Sequence, residues 1–209
     1  MVTLIFGQLN THHCKAAMAH LALCVSVNHI DILLIQEPYC HNGEPTLIPP
    51  NFITYFIPSN NNPRACILIR RNIAHKFVLL HNFSTPDNVI VVTTASSPNY
   101  IVSSYLPPYD TLEQDLTPMD SFLNAIKPAK MIWGLDANSK HGMWFSPTTD
   151  ARGRNLVEFL SLNGLLTVNE KDGPTYSGPT GDSWIDITVT TINSAHSIQN
   201  WKVSEDVRL

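Results

Sequence analysis

The chain is divided into short apolar runs, rich in Val, Ile, Tyr and Phe, that are too brief for helices and end at Pro, Asn or Gly. Such runs read as strands, because β-branched and aromatic side chains suit a pleated surface and the bounding residues break it. They predict strands over 4–9, 31–36, 52–57, 66–70, 76–80, 88–94, 100–105, 130–136, 184–191 and 199–203. Helical periodicity is rarer. It predicts helices over 15–28, with Ala17, Leu21, Cys24 and Val25 on one face, and over 111–127, opened by Asp110 and Glu113 in capping-box spacing and stopped by Pro128. A third covers 154–162, burying Leu156, Val157 and Leu160 and ending at Asn163-Gly164. Mixed order with more strands than helices predicts an α/β fold of two sheets packed face to face, with helices outside. No repeat, low-complexity tract or Gly/Ser linker interrupts the chain, so 1–209 reads as one domain.

At 209 residues, 44% hydrophobic and only 14% charged, the chain can bury a sizeable core. Its formal charge of -4 argues against holding nucleic acid by bulk electrostatics, which requires many Lys and Arg. It leaves room for a metal-dependent enzyme acting on phosphates, whose site is itself acidic. Apolar stretches such as Ile32-Leu33-Leu34-Ile35 are strand-sized, so no membrane span or membrane partner is expected. Residues 1–9 lack a basic region and a small-residue cleavage site, and read as a first strand rather than a signal peptide. Cys14, Cys24, Cys40 and Cys66 have no Cys-x-x-Cys spacing, consistent with reduced thiols in an intracellular protein. His12, His13, Cys14, Cys40 and His41 supply enough donors for zinc but lack the tight ligand pairs of zinc motifs.

Polar groups recur where apolar runs stop. Met131-Ile132-Trp133 gives way to Gly134-Leu135-Asp136-Ala137-Asn138, and alternation puts Asp136 and Asn138 on one face of a sheet rim. Asp136 can take a proton while Asn138 orients a reactant; both residues are also ordinary strand terminators. Asn10 follows one run, Glu37 follows 32–36 and precedes Pro38, and Tyr105 closes 101–104. A carboxylate such as Glu37 is a natural hard-oxygen ligand for Mg²⁺, or equally an exposed charge. Asn10 has a turn residue as its other reading, and Tyr105 a half-buried core ring. Asp186 stands within Ser183-Trp184-Ile185-Asp186-Ile187-Thr188, where a buried carboxylate is costly without a partner such as His.

Taken in order, Gln36-Glu37-Pro38, the block from Gly134 through Asp136, Asn138, Lys140 and His141 to Trp144, Ala151-Arg152-Gly153-Arg154, and Ser183 to Thr188 resemble the endonuclease/exonuclease/phosphatase superfamily. Within it they are most similar to the apurinic-type endonuclease domain at the N-terminus of non-LTR retrotransposon polyproteins, especially arthropod site-specific elements. The resemblance spans nearly the whole chain. It implies a four-layer, deoxyribonuclease-like α/β sandwich of two mixed, mostly antiparallel sheets. It also implies Mg²⁺-dependent nicking of double-stranded DNA, with Mn²⁺ as a substitute, leaving a 3′-hydroxyl that primes reverse transcription. The implied partner is the reverse transcriptase region of the same polyprotein, and the implied place of action is the nucleus. By the same resemblance Glu37 binds the metal, Asn10 helps to hold the site, and Asp136 positions or deprotonates the attacking water. Asn138 orients that water, Tyr105 contacts the scissile phosphate, and Asp186 orients a catalytic His. A phosphatase or phospholipase of the same superfamily is the alternative, as is a copy that no longer cuts.

The family closes its domain with a strand and then Ser-Asp-His. Here the chain runs from Trp201 to Leu209 without that triplet, and none of its nine His residues occupies the matching position. The expectation is therefore a chain truncated before its catalytic His, or one that has lost it. His141 follows Asn138 and is expected to serve substrate contact or loop structure, and His196 to be exposed. Lys140, Arg152 and Arg154 are expected to meet phosphates flanking the cut, whereas Arg64, Arg70, Arg71 and Lys76 read as a solvated face. Trp144 reads as a base-stacking wedge or a buried anchor. Residues 175–182 read as a hairpin tip able to sense the minor groove or DNA deformability.

Overall fold

A computed structural model describes residues 3–178 and 181–204. The chain opens with β1 (Phe6–Asn10), α1 (Lys15–Val27) and β2 (Ile32–Gln36). A small ribbon of β3 (Cys40–His41) and β4 (Glu44–Pro45) leads to β5 (Phe52–Tyr55), β6 (Ala65–Arg70) and the short α2 (Arg71–Ala74). Then come β7 (Phe77–Leu79), β8 (Asn88–Thr93), β9 (Tyr100–Tyr105), α3 (Leu112–Ile126) and β10 (Met131–Asp136). The last part holds α4 (Ala151–Leu162), β11 (Leu165–Thr167), a ribbon of β12 (Tyr176–Gly178) and β13 (Gly181–Ser183), and β14 (Asp186–Thr191).

Two sheets carry the fold. One has the order β1-β2-β6-β5, and the other β11-β14-β10-β9-β8-β7. The pairs β1/β2 and β9/β10 are parallel, and the remaining pairs in these sheets are antiparallel. Alternation explains the layers. In β2 and β6, Ile32, Leu34, Ala65, Ile67 and Ile69 face Val89, Val91 and Ile101 of the second sheet, while Leu33, Ile35, Cys66 and Leu68 face Met18, Leu21 and Val25 of α1. On the far side, Met131, Trp133, Leu135, Ile187 and Val189 pack against α3 and α4 through Leu116, Phe122, Leu156 and Leu160. The result is the four-layer α/β sandwich that the resemblance implies.

The same alternation dictates which residues end the inner rows. Counting by twos from Ile132 leads through Gly134 to Asp136. From Phe6 it leads to Asn10, and from Ile101 through Ser103 to Tyr105. The layer turns polar as it approaches this rim: Gln36 Nε2 donates to Ser103 Oγ at 3.0 Å, and Ser103 Oγ donates to the Ile35 carbonyl at 3.2 Å. Gly134 lets the sheets approach, since a Cβ there would lie 2.6 Å from Leu34 Cδ1 and 2.8 Å from Gln8 Oε1.

Some elements differ from the sequence reading. Residues 199–203 form no strand; a β-propensity run needs an open sheet edge beside it. β14 begins at Asp186 rather than Trp184, so Asp186 sits at the mouth of the strand instead of within it. Helix α4 begins at Ala151 because Asp150 caps it, with Oδ1 accepting from Gly153 N–H at 2.6 Å. The capping box expected at Asp110 and Glu113 is absent: Thr111 is the N-cap of α3 and makes no side-chain cap bond. Strand β11 and the short α2 had no distinct periodicity to announce them. The expected hairpin at 175–182 is the β12/β13 ribbon, with its tip at 179–180 outside the described residues, as is the tail beyond Ser204.

Candidate active site

Register brings the rim residues together. Asp136 pairs with Tyr105 on one side and with Asp186 on the other. On the opposing sheet Asn10 pairs with Gln36, and the chain then turns at Glu37, which adopts a left-handed φ of 46° uncommon for a non-glycine. Asn10 joins the two sheets: its Nδ2 donates to Glu37 Oε2 at 3.0 Å and to Asp136 Oδ2 at 2.7 Å. Its Oδ1 accepts from the His12 backbone N–H at 2.7 Å, which fixes the amide's orientation. Asn138 N–H donates to Asp136 Oδ1 at 3.3 Å, and Asn138 Nδ2 to the Leu106 carbonyl at 3.1 Å. Asn10, Glu37, Tyr105, Asp136 and Asn138 thus line one cleft of about 260 Å³. Asp186 stands behind Asp136, and its Oδ1 is buried with no hydrogen-bond partner among the described residues.

Electrostatics divides these groups. Burial works to raise the Glu37 carboxyl, but hydrogen bonds from His12 and Asn10 and the charge of His13 hold it at about 2. Burial pushes Asp136 above the ordinary carboxylate range, aided by the charge of Glu37 and opposed by the bonds from Asn10 and Asn138. Asp186 is also raised, by burial first and then by the charge of Asp136. Burial, followed by the negative charges of Glu37 and Asp136, raises the Tyr105 hydroxyl and keeps it a neutral donor. The site therefore offers a firmly ionised carboxylate beside one suited to accept a proton near neutrality.

His12, which the sequence offered only as a zinc donor, is a resident of this cleft. Its Nδ1 lies 3.4 Å from Glu37 Oε2, and its ring meets Tyr176 of β12 edge-on at 5.6 Å. His13 Nε2 lies 3.5 Å from Glu37 Oε1. Both histidines have left-handed φ angles, 47° and 52°. The bond to Glu37 raises the His12 pKa. Placement two residues after Asn10 was the available signal. Among the described residues, no group of three His, Cys, Asp or Glu side chains is gathered to hold a metal alone, so the zinc set from His12 to His41 does not assemble.

The loop after Asn138 is mostly occupied with itself. Trp144 is 1% exposed and packs in the helix-side core, so the base-stacking role is corrected to that of a buried anchor. Arg152 is likewise engaged internally: its Nη2 pairs with Asp115 at 2.6 Å, and it donates to the Asp110 carbonyl at 2.9 Å and the Ala137 carbonyl at 3.3 Å. These bonds hold the loop to α3 and remove Arg152 from phosphate contact. His141 Nδ1 accepts from Met143 N–H at 3.0 Å, and its ring leans on Trp144 at 5.4 Å, a loop-building role. Lys140 is exposed beside a groove continuous with the cleft, Arg154 is exposed on α4, and His196 is exposed after β14. Arg70 pairs with Asp31 at 3.4 Å, and Arg71 and Lys76 are exposed. Arg64 is only 24% exposed, because Asp87 draws it inward, and so departs from the expected solvated face.

Comparison with known proteins points the same way. The endonuclease-reverse transcriptase family model matches residues 99–207. The chain is 26% identical over 180 residues to the RNA-directed DNA polymerase from mobile element jockey of Drosophila melanogaster, covering 83% of this chain and 19% of that protein. It is 24% identical over 155 residues to the Pol polyprotein from type-1 retrotransposable element R1 of Bradysia coprophila, covering 70% of this chain and 14% of that protein. The chain therefore spans less than a fifth of either relative. Among solved structures it is similar to the endonuclease domain of TRAS1, a telomere-specific non-LTR retrotransposon, with a TM-score of 0.84 and 28% identity over 96% of this chain and 90% of that one.

Proposed function

The chain belongs to the endonuclease-reverse transcriptase family, and on that premise we propose that residues 1–209 are the DNA-nicking domain of a non-LTR retroelement polyprotein. The observation that carries this reading is the bridge from Asn10 to both Glu37 and Asp136, which assembles one phosphoester-cleaving cleft from two sheets. The substrate is double-stranded DNA, cut in one strand to leave a 3′-hydroxyl for the reverse transcriptase region of the same polyprotein, in the nucleus. No helix among the described residues is long and apolar enough to cross a membrane.

The donor set fits Mg²⁺, or Mn²⁺ in its place. Hard oxygens are present, and a single ionised carboxylate at Glu37 suits an ion that keeps several waters and shares its shell with a phosphate. The repulsion of Asp136 and Asp186 further favours a cation nearby. Glu37 would hold the ion, which supplies charge neutralisation on the non-bridging oxygens.

The protein's own groups do the rest. Asp136, with its raised proton affinity, accepts the proton of a water that attacks phosphorus as the bond to the 3′-oxygen breaks. Asn138 orients that water, and Asn10 fixes the separation of Glu37 and Asp136. Neutral Tyr105 donates to a phosphate oxygen. The departing 3′-oxygen takes its proton from water, and Asp186 Oδ1, buried without a hydrogen-bond partner among the described residues, can accept from a further donor at the site. Lys140 and Arg154 meet flanking phosphates.

Nicking of supercoiled plasmid in Mg²⁺, with polymerase extension of the nicked ends, tests the reading. Conversion to open circle that Asp136→Ala abolishes supports it. Release of phosphate from small esters with plasmid left intact would assign the cleft to a phosphatase instead.

A further inference from the structure

We infer that Arg64 is a positioning residue for the cleavage reaction, acting through Tyr105; the inference rests on reading the cleft as a phosphodiester-cleaving site. Arg64 Nε and Nη2 each donate to one carboxylate oxygen of Asp87 at 2.7 Å, a planar two-point fork that an ammonium group cannot reproduce. Nη1 donates to the Tyr109 hydroxyl at 2.8 Å. With its plane locked in this way, the guanidinium Cζ lies 5.1 Å over the centroid of the Tyr105 ring, within cation–π reach.

The same two residues hold the backbone on both sides of the cleft. Tyr105 N–H donates to the Asp87 carbonyl at 2.9 Å, and Glu37 N–H donates to the Arg64 carbonyl at 2.8 Å. One Arg–Asp pair therefore clamps the Tyr105 main chain, covers its ring, and joins it to the strand end that presents Glu37. Tyr105 and Glu37 line the same cleft, and the charge of Glu37 adds to burial in raising the Tyr105 hydroxyl. A part-exposed ion pair adds little to stability, so its consequence is orientation: the ring cannot swing its hydroxyl out of the cleft. Misplacing a reacting group by about 1 Å costs on the order of 100-fold in rate.

The test has two arms. In the first, the chain is labelled with 3-fluorotyrosine and Tyr105 is assigned by the resonance that Tyr105→Phe removes. Arg64→Met is expected to shift or broaden that resonance while those of Tyr55 and Tyr176 stay in place; an unchanged Tyr105 signal, or equal change at every tyrosine, overturns the inference. In the second, Arg64→Lys and Arg64→Met are expected to lower the nicking kcat about 10- to 100-fold with little change in KM, and to cost less than about threefold in the Tyr105→Phe background. Equal losses in both backgrounds overturn positioning through Tyr105. If the wild-type chain cuts no DNA, the functional reading fails, and the fluorine arm still decides whether Arg64 sets the Tyr105 ring.

Discussion

Asp136 and Asp186 are register partners across β10 and β14, so two carboxylates share one rim, and the charge of Asp136 adds to burial in raising Asp186. Such a pair opposes folding while it is ionised. The native state binds protons more tightly than the unfolded chain, so stability is fully present below the ordinary carboxylate pKa and is lost as pH rises through the raised value.

Asp186→Asn removes that cost. The variant is expected to be more stable than wild type by about 1–3 kcal/mol near pH 8, with the difference fading toward about pH 4 as both carboxyls protonate. Thermal melts of the two proteins across this range measure it. Equal stability at the alkaline end would mean that the pair is not repulsive.

Asn10 holds Glu37 and Asp136 apart and in place with two hydrogen bonds. Asn10→Ala is expected to slow plasmid nicking by about 100-fold or more, comparable to losing an oriented donor, while leaving the fold intact by circular dichroism. Asn10→Asp is expected to be worse, because it sets a third carboxylate against the other two. Near-wild-type nicking by either variant would remove Asn10 from the site.

The rim could be read from the sequence because strand alternation is local. Asn10, Tyr105 and Asp136 each end a row that opens on an apolar side chain, Phe6, Ile101 and Ile132 in turn, and the stop at Glu37-Pro38 needs no partner to recognise. Other features depend on contacts across the fold. His12 reaches Glu37 only through two successive left-handed residues, which side-chain chemistry does not announce. Trp144 was open to two readings because its burial depends on helices elsewhere in the chain. Arg152 resembled a phosphate ligand until Asp115, from a helix distant in sequence, claimed it. Residues 199–203 had strand-like composition without a strand-like setting.

Glu37, held at about 2, is ionised at neutral pH and ready to bind a cation. Mg²⁺ at a hundredfold excess over its Kd is expected to stabilise the wild-type chain by about 2.7 kcal/mol, and Mn²⁺ to do the same. Glu37→Gln is expected to abolish the shift, since a carboxamide is a poor substitute for a carboxylate ligand. Melting temperatures with EDTA, Mg²⁺ and Mn²⁺ provide the measurement. An undiminished shift in the variant would place the ion elsewhere.

Two glycines test how closely the site is packed. A Cβ at Gly134 would meet Leu34 Cδ1 at 2.6 Å and Gln8 Oε1 at 2.8 Å, both on flexible side chains that can move aside. A Cβ at Gly153 would meet the Lys140 carbonyl oxygen at 2.1 Å and its carbon at 2.7 Å, which are backbone atoms fixed by Asp150. Gly134→Ala is therefore expected to cost about 1–3 kcal/mol, and Gly153→Ala more than that. The second change also pushes on the loop that carries Asn138 and Lys140, so its nicking rate should fall further than its stability loss accounts for. Urea unfolding and plasmid nicking on the same preparations separate the two effects. A Gly153→Ala protein as stable and active as Gly134→Ala would show that the junction of α4 with the loop from Asn138 to Asp150 yields more easily than its backbone contacts imply.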